Sequence, residues 1–236
     1  MLYHEVKDIV REYAGKTGLP TTMLDLALEN GRLEIEKAQN MWWMQADFDW
    51  LTVDTQASYP IVLDTTNGLE LTNFKDIRAL KYKEETEVDW QPVDVGVYTK
   101  EDLDGMYDED EEGEPEQACV EGDNLIIYPI PDDEYDMRIY YWQYTENPTN
   151  LSSDEITAHF PMALVYSAYK WIHEAYLKDP QGAGYWKQLL EGKGGEYHKL
   201  RRENFKRGWK DKVNLEPHMG PGRLGRRRMD RMQIYR

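Results

Sequence analysis

One cysteine, Cys119, stands in 236 residues. A single thiol excludes an intrachain disulfide framework and fits synthesis in a reducing compartment. Long apolar runs are missing as well. Mean hydropathy is −0.80, and no stretch approaches the ~18 apolar residues of a membrane span. The opening MLYHEVKDIV has no basic segment followed by an apolar one, so no secretory signal is expected. Phenylalanine is scarce, four against 17 tyrosines and eight tryptophans. Aromatics with a polar handle suit half-buried surfaces, either a subunit interface or the wet rim of a core.

Catalytic signatures are also missing. There is no Walker loop, dinucleotide glycine fingerprint, GxSxG elbow or zinc-spaced Cys/His set. His173-Glu174 begins like H-E-x-x-H, but position 177 is Leu, which leaves His173 as a helix-surface or interface histidine. Cys119 falls in an expected strand with no base near it in sequence and reads as a buried thiol. Forty-five carboxylates make any nominated acid–base pair arbitrary. The expectation is a protein that is not an enzyme, with no catalytic residue, no metal and no cofactor.

What the chain does have is charge, unevenly placed. The formal net charge is −17. Residues 201–236 hold 12 Lys+Arg and 4 Asp+Glu, whereas residues 1–200 hold 16 and 41. An acidic body with a basic tail implies a partner for one of the two blocks. The body repels nucleic acid, so only the tail is suited to hold it. Residues 101–116, EDLDGMYDEDEEGEPE, contain ten carboxylates. Such a run is expected to be a mobile loop, and its spacing does not fit a D-x-D-x-D-G calcium frame.

Periodicity supplies the architecture. Leu24, Leu28, Gly31, Ile35, Ala38 and Trp42 form an apolar stripe on a helix of about six turns. Asp25, Glu29, Arg32, Glu36, Lys37 and Gln39 are expected to face water, and Thr21 or Thr22 to cap the helix. At Met41-Trp42-Trp43-Met44 the pattern turns to alternation, with Phe48, Trp50 and Val53 on one strand face. This helix–sheet junction is expected to be the centre of the core. A first helix is expected over 2–15.

Further strands are expected at Leu51–Asp54, Tyr59–Leu63, Ile77–Tyr82, Trp90–Val93, Ala118–Val120 and Leu125–Pro131. Pro60 marks an edge strand. Met137, Ile139 and Tyr141 alternate with Arg138, Tyr140 and Trp142 in a hairpin partner of the strand before them. A helix capped by Ser152 or Ser153 runs to about Leu177, where Lys178-Asp179-Pro180 stops it. A last helix spans about Gly184 to Phe205, weakened by Gly192, Gly194 and Gly195.

The expected class is α+β: a helical bundle of two N-terminal and two C-terminal helices, with an inserted antiparallel β domain and an extended C-terminal arm. The boundaries are 1–46 for the first helices and 47–150 for the β domain with its acidic loop 101–117. The second helices take 151–207 and the basic arm 208–236. In that arm Arg223, Arg226, Arg227, Arg228, Arg231 and Arg236 are interleaved with Met229, Met232, Ile234 and Tyr235. Arg forks pair with carboxylates or phosphates, and the apolar residues suit pockets on a protein.

Three groups of residues carry a resemblance. They are NMWWM with the following tryptophan strand and Ser58-Tyr59-Pro60; Gly122 to Pro131 with the strand reaching Tyr140-Tyr141; and Leu151 to Glu155 before His159-Phe160-Pro161 and a helix ending Ala175-Tyr176-Leu177. In this order, over about residues 5–205, they resemble the head-to-tail adaptor (connector, head completion) proteins of tailed bacteriophages. The acidic loop and the arginine arm depart from that pattern.

The resemblance implies a virion protein of the neck, made in the host cytoplasm. It implies a homo-oligomeric ring of about twelve copies under the portal protein, joined to tail or nozzle proteins, with no membrane partner. Packaged DNA would pass through without specific binding. Twelve copies would carry roughly −200 formal charge, and Asp108, Glu109, Asp110, Glu111, Glu112, Glu114 and Glu116 are the expected channel-facing carboxylates. The arm, through Arg223, Arg226, Arg227, Arg228, Arg231, Met232, Ile234, Tyr235 and Arg236, is expected to bind the portal or a neighbouring subunit. Two other classes are a peptidoglycan-degrading tail accessory protein and a nucleic-acid-binding module that uses the arm.

Overall fold

The computed structural model describes residues 1–15, 18–61, 69, 71–84, 87–96 and 98–214. Two helices open the chain, α1 (Tyr3–Gly15) and α2 (Thr21–Ala38), and a 3-10 turn at Trp42–Met44 leads into β1 (Gln45–Leu51). Strands β2 (Ser58–Pro60), β3 (Phe74–Lys83) and β4 (Gln91–Val95) follow, then the short helix α3 (Lys100–Asp104). Next come β5 (Glu112–Gly113), β6 (Gln117–Glu121), β7 (Asn124–Tyr128), β8 (Ile130–Pro131) and β9 (Asp136–Gln143). The chain then forms α4 (Glu155–His159), α5 (Pro161–Trp171), a π-helical turn at Ile172–Leu177, α6 (Pro180–Glu191) and α7 (Glu196–Asn214). The class is α+β, with a sheet that is mostly antiparallel.

The seven-stranded sheet has the order β1-β9-β3-β4-β6-β7-β2. Strand β9 lies between β1 and β3 and is antiparallel to both. Its alternation reads as expected: Met137, Ile139 and Tyr141 are buried, and Arg138, Tyr140 and Trp142 are half-exposed. Its hairpin partnership with the preceding apolar strand does not form, because β7 pairs instead with β6 and β2. The hairpin is β6–β7, turned at Gly122, whose φ of 58 suits glycine. As Pro60 suggested, β2 sits at the sheet edge.

The sheet is not wholly antiparallel. Asp94 and Val95 pair in parallel with Gln117 and Ala118, and in a separate two-stranded sheet β5 pairs in parallel with β8. A parallel pair needs a long crossover. The acidic run is that crossover.

Among the described residues two large apolar clusters and one small one share the chain. The helical cluster joins Val6, Val10, Leu24, Leu28, Ile35, Met41 and Met44 to Leu164, Ala168, Ile172, Leu190 and Leu200. The sheet cluster joins Tyr59, Leu80, Leu125, Ile127, Met137 and Ile139, with Ala46, Phe48 and Trp50 packed against it. The tryptophan-rich junction therefore links two cores and is the centre of neither. Val53 lies past the end of β1 and is exposed, and residues 52–54 are not strand.

On α2 the stripe is buried at Leu24, Leu28, Gly31 and Ile35 and ends there, with Ala38 exposed. Helix α5 crosses close at Gly31, where an added Cβ would lie 2.9 Å from the backbone nitrogen of Ala168.

The charged face of α2 is not all wet. Arg32 is 2% exposed and Glu36 is fully buried. The Arg32 guanidinium pairs with Asp154 and donates to Asn147 Oδ1 at 2.8 Å and Thr145 Oγ1 at 3.0 Å. Glu36 accepts from Trp43 Nε1 at 3.2 Å, from the Thr145 amide at 3.0 Å and from the Thr145 hydroxyl, while Lys75 binds its carbonyl oxygen. The reason is positional. The segment leaving β9 passes over this face of α2 and brings partners for both charges, so burial costs little.

Helix boundaries depart from the expected ones for identifiable local reasons. Pro20 occupies the cap position of α2, with no capping side chain. Asp154, and neither Ser152 nor Ser153, caps α4 by accepting from the Thr157 amide at 2.8 Å. The expected last helix is two, α6 and α7, divided at Gly192–Gly195. Pro180 both ends the π-helical turn and starts α6, whose first amides bond Asp179. His173 is buried rather than on a surface: its Nδ1 meets Asp179 Oδ2 at 2.9 Å and its Nε2 meets the Tyr13 hydroxyl at 2.6 Å. Residues 208–214 continue α7, so no extended arm begins at Gly208.

Candidate functional site

The acidic crossover is ordered, not a mobile loop, because its apolar and aromatic residues are spaced among the acids. Thr99 and Asp102 cap α3 reciprocally. Thr99 Oγ1 accepts from the Asp102 amide at 3.3 Å, and Asp102 Oδ2 accepts from the Thr99 amide at 3.0 Å. The Thr99 amide and hydroxyl hold the Asp102 carboxyl below its ordinary value. Leu103 is fully buried against Cys119 and Ile126, with Ala57, Tyr107 and Tyr128 around them. Cys119 is a buried thiol, pushed up by burial.

Two tyrosines of the sheet, Tyr128 and Tyr82, hold the crossover, and a third, Tyr107, braces it from within. Tyr128 donates to Asp104 Oδ1 at 2.5 Å, Tyr82 to Glu114 Oε2 at 2.7 Å and Tyr107 to Glu116 Oε2 at 3.2 Å. Burial, then the accepting carboxylate, raises all three hydroxyls above the ordinary tyrosine value. Backbone bonds complete the attachment: Glu116 N to Tyr128 O at 2.9 Å, Asp94 N to Glu116 O at 3.0 Å and Ile130 N to Glu111 O at 2.9 Å.

Asp108, Glu109, Asp110, Glu111, Glu112, Glu114 and Glu116 are all exposed and lie together on this one lobe. Among the described residues none of Asp108, Glu109, Asp110 and Glu111 pairs with a cation. Lys100 is the nearby exception to the lobe's charge and lies 3.4 Å from Asp104 and 3.9 Å from Glu121. Between lobe and sheet runs a cavity of about 470 Å³, with Ala57, Ile126 and Ile130 as its apolar lining and Asp104, Asp108, Glu109 and Glu111 along it. Tyr107 and Tyr128 also line it. Among the described residues no group of three or more His, Cys, Asp or Glu is arranged to hold a metal ion. No described helix is long and apolar enough to cross a membrane.

The second region is the base of the basic tail. Asn204 on α7 accepts from the Trp42 amide at 3.1 Å and donates to the Asn40 carbonyl at 2.8 Å. Arg207 lies 4.1 Å from the centre of the Trp42 ring and 3.3 Å from Glu155 Oε2. Helix α7 is thus fastened to the tryptophan-rich junction. The arm residues Arg223, Arg226, Arg227, Arg228, Arg231, Met232, Ile234, Tyr235 and Arg236 lie outside the described residues.

Sequence reasoning located the acids and missed what holds them. Tyr82, Tyr107 and Tyr128 were visible only as part of the tyrosine excess, and that excess was the available signal. Arg32 and Glu36 were missed because helical spacing alone put them on the polar side. Their adjacency to Gly31 and Ile35 was the clue that a neighbouring segment reaches that far round.

No match is found among curated proteins. Residues 1–210 match the family described as SU10 adaptor protein, a phage head-to-tail adaptor family. With most of its length inside that match, the chain belongs to the SU10 adaptor family and has the role of a structural phage adaptor.

Proposed function

We propose that this protein closes into a ring of about twelve copies beneath the portal, extends the channel through which DNA passes, and presents the attachment site for the tail. The family match over residues 1–210 carries this reading. The charge distribution supports it. Seven exposed carboxylates on an anchored lobe, Asp108 to Glu112 with Glu114 and Glu116, suit a channel wall that repels the phosphate backbone and lets it slide. The basic arm, from Arg223 to Arg236, serves as the binding element toward the portal or the adjacent subunit. The sequence-based domain division, helices 1–46 and 151–207 around the sheet of 47–150, belongs to the same proposal. So do residence in the virion neck and synthesis in the host cytoplasm.

The test is native mass. The protein alone and the protein mixed with portal rings of the same phage are measured at several salt concentrations. The expected result is a portal ring that gains a fixed number of copies near twelve. Absence of any complex across the salt series overturns the proposal. Arm-dependent binding to DNA that weakens steeply with salt, without portal binding, would favour the nucleic-acid module instead.

A further inference from the structure

We propose that the cavity between the acidic crossover and the sheet is the socket for the arginine arm of an adjacent copy of this chain. The inference rests on the ring reading above for the proximity of the copies, adds where the arm goes, and takes Asp108, Glu109 and Glu111 from the channel wall into a contact between subunits.

The socket has two chemical parts that match the two kinds of residue in the arm. Its lining is apolar and aromatic at Ala57, Ile126, Ile130, Tyr107 and Tyr128, and Asp104 with its ion-pair partner Lys100 also lines it. Along it stand Asp108, Glu109 and Glu111, which have no cation partner among the described residues. A volume of about 470 Å³ is in the range of cavities that take small groups, so it suits side chains and not a folded domain. Residues 223–236 supply six arginines alternating with Met229, Met232, Ile234 and Tyr235. Arg forks match carboxylates in pairs, and the interleaved apolar residues suit the lining.

A duplex or a phosphate surface would not enter here, because the carboxylates repel it. A basic, apolar-studded peptide is the fitting occupant. The chain's own tail is the segment of that chemistry outside the described residues.

Delivery from a neighbour follows from placement. Helix α7 is fastened at the 3-10 turn before β1, and β1 is one edge of the sheet. The sheet curls until its edges meet, with Tyr59 of β2 against Trp50 and Val53 at the far end of β1, and the socket lies by that end, at Ala57 and β7. The root of α7 and the socket thus stand at opposite ends of β1, and a head-to-tail contact between copies in a ring joins one to the other. Reversal of the socket's charge should not disturb the fold, since the three carboxylates are exposed.

Full-length protein carrying photoreactive benzoylphenylalanine in place of Tyr235 tests this. Copies made with light and heavy nitrogen are mixed before assembly, irradiated, and the cross-linked peptides identified. The expected result is cross-links to Ala57, Tyr107, Ile126 or Tyr128, with light–heavy pairs as abundant as same-isotope pairs. The triple variant Asp108→Lys, Glu109→Lys, Glu111→Lys should lower their yield about tenfold, equivalent to ~1.4 kcal/mol. Arg226→Glu, Arg227→Glu, Arg228→Glu added to it should restore the yield.

Same-isotope pairs alone would mean that each arm stays on its own copy and would overturn the proposal. So would cross-links only to the portal, or a yield indifferent to charge reversal. Portal binding is read separately by native mass. A complex that forms without socket cross-links refutes the socket and leaves the adaptor intact. Socket cross-links without portal binding do the reverse.

Discussion

The joint between helices and sheet and the acidic crossover both concentrate charge, and they handle it in opposite ways. At the joint Arg32 and Glu36 are withdrawn from water, and each is met by several partners from a distant part of the chain. In the crossover the carboxylates stay in water, and order comes from Leu103 below them and from tyrosine hydroxyls beside them. Charge by itself thus dictates neither exposure nor disorder. What decides is whether another segment arrives with the complementary group. The joint is a bond between two cores, whereas the crossover is a charged surface left facing water.

The sharpest way to break this contrast is Arg32→Met. The change removes the guanidinium from Asp154, Asn147 and Thr145 and leaves these half-buried acceptors without their donor, at a cost of roughly 3 kcal/mol. For a chain of this size the melting temperature should fall by roughly 10 °C, read by calorimetry or circular dichroism. No fall would mean that the joint is not a structural bond.

The same pair gives a pH signature. Burial alone would raise the Asp154 carboxyl, but the Arg32 charge and the Thr157 bonds outweigh it and hold it below 3.8. A depressed folded-state value gives stability that is present above the unfolded value and lost as pH falls through the folded one. Acid below about pH 4 should therefore weaken the native protein, and Asp154→Asn should flatten that limb.

Much of this architecture is legible in the sequence, and what is not has a common cause. The stripe from Leu24 to Ile35, the alternation along β9 and the edge position of β2 follow from period and from proline, which act within a few residues. The α+β class follows from their order. Partners contributed across long sequence distance were not legible. Strand β9 reaches β1 and β3 rather than its neighbour β7, and the segment beyond it reaches Arg32. The acidic run reads as mobile in the sequence because composition registers the charges and not the three tyrosines that bond Asp104, Glu114 and Glu116. At the candidate site the run of acids is plain in the sequence, while the cavity beneath it depends on the crossover's course.

Gly31→Ala sharpens the helical side of the comparison by leaving every charge in place. The new Cβ would sit 2.9 Å from Ala168 N and 3.3 Å from Ser167 Cβ, so α2 and α5 must move apart. Overpacking of this kind costs about 1–3 kcal/mol, reduced by the better helix propensity of alanine, about 1 kcal/mol. A denaturant midpoint should show a net loss of about 0–2 kcal/mol, smaller than that of Arg32→Met. A larger loss from Gly31→Ala would make apolar contact, and not the polar bond, the principal tie at this end.

The smallest effect is expected on the lobe, and its smallness is informative. Tyr128→Phe deletes the hydroxyl bonded to Asp104 and leaves the ring in the small cluster with Leu103. One hydrogen bond to a surface-exposed carboxylate is worth about 1 kcal/mol. It should be lost locally, because the lobe hangs on the sheet and is not part of either large core. Global melting should hardly change, while proteolytic nicking between residues 105 and 113 should accelerate roughly fivefold, the factor for ~1 kcal/mol of local opening. Were nicking unchanged and melting lowered instead, the lobe would be part of the cooperative core, and the distinction between a charge buried for stability and a charge displayed for a partner would fail at that point.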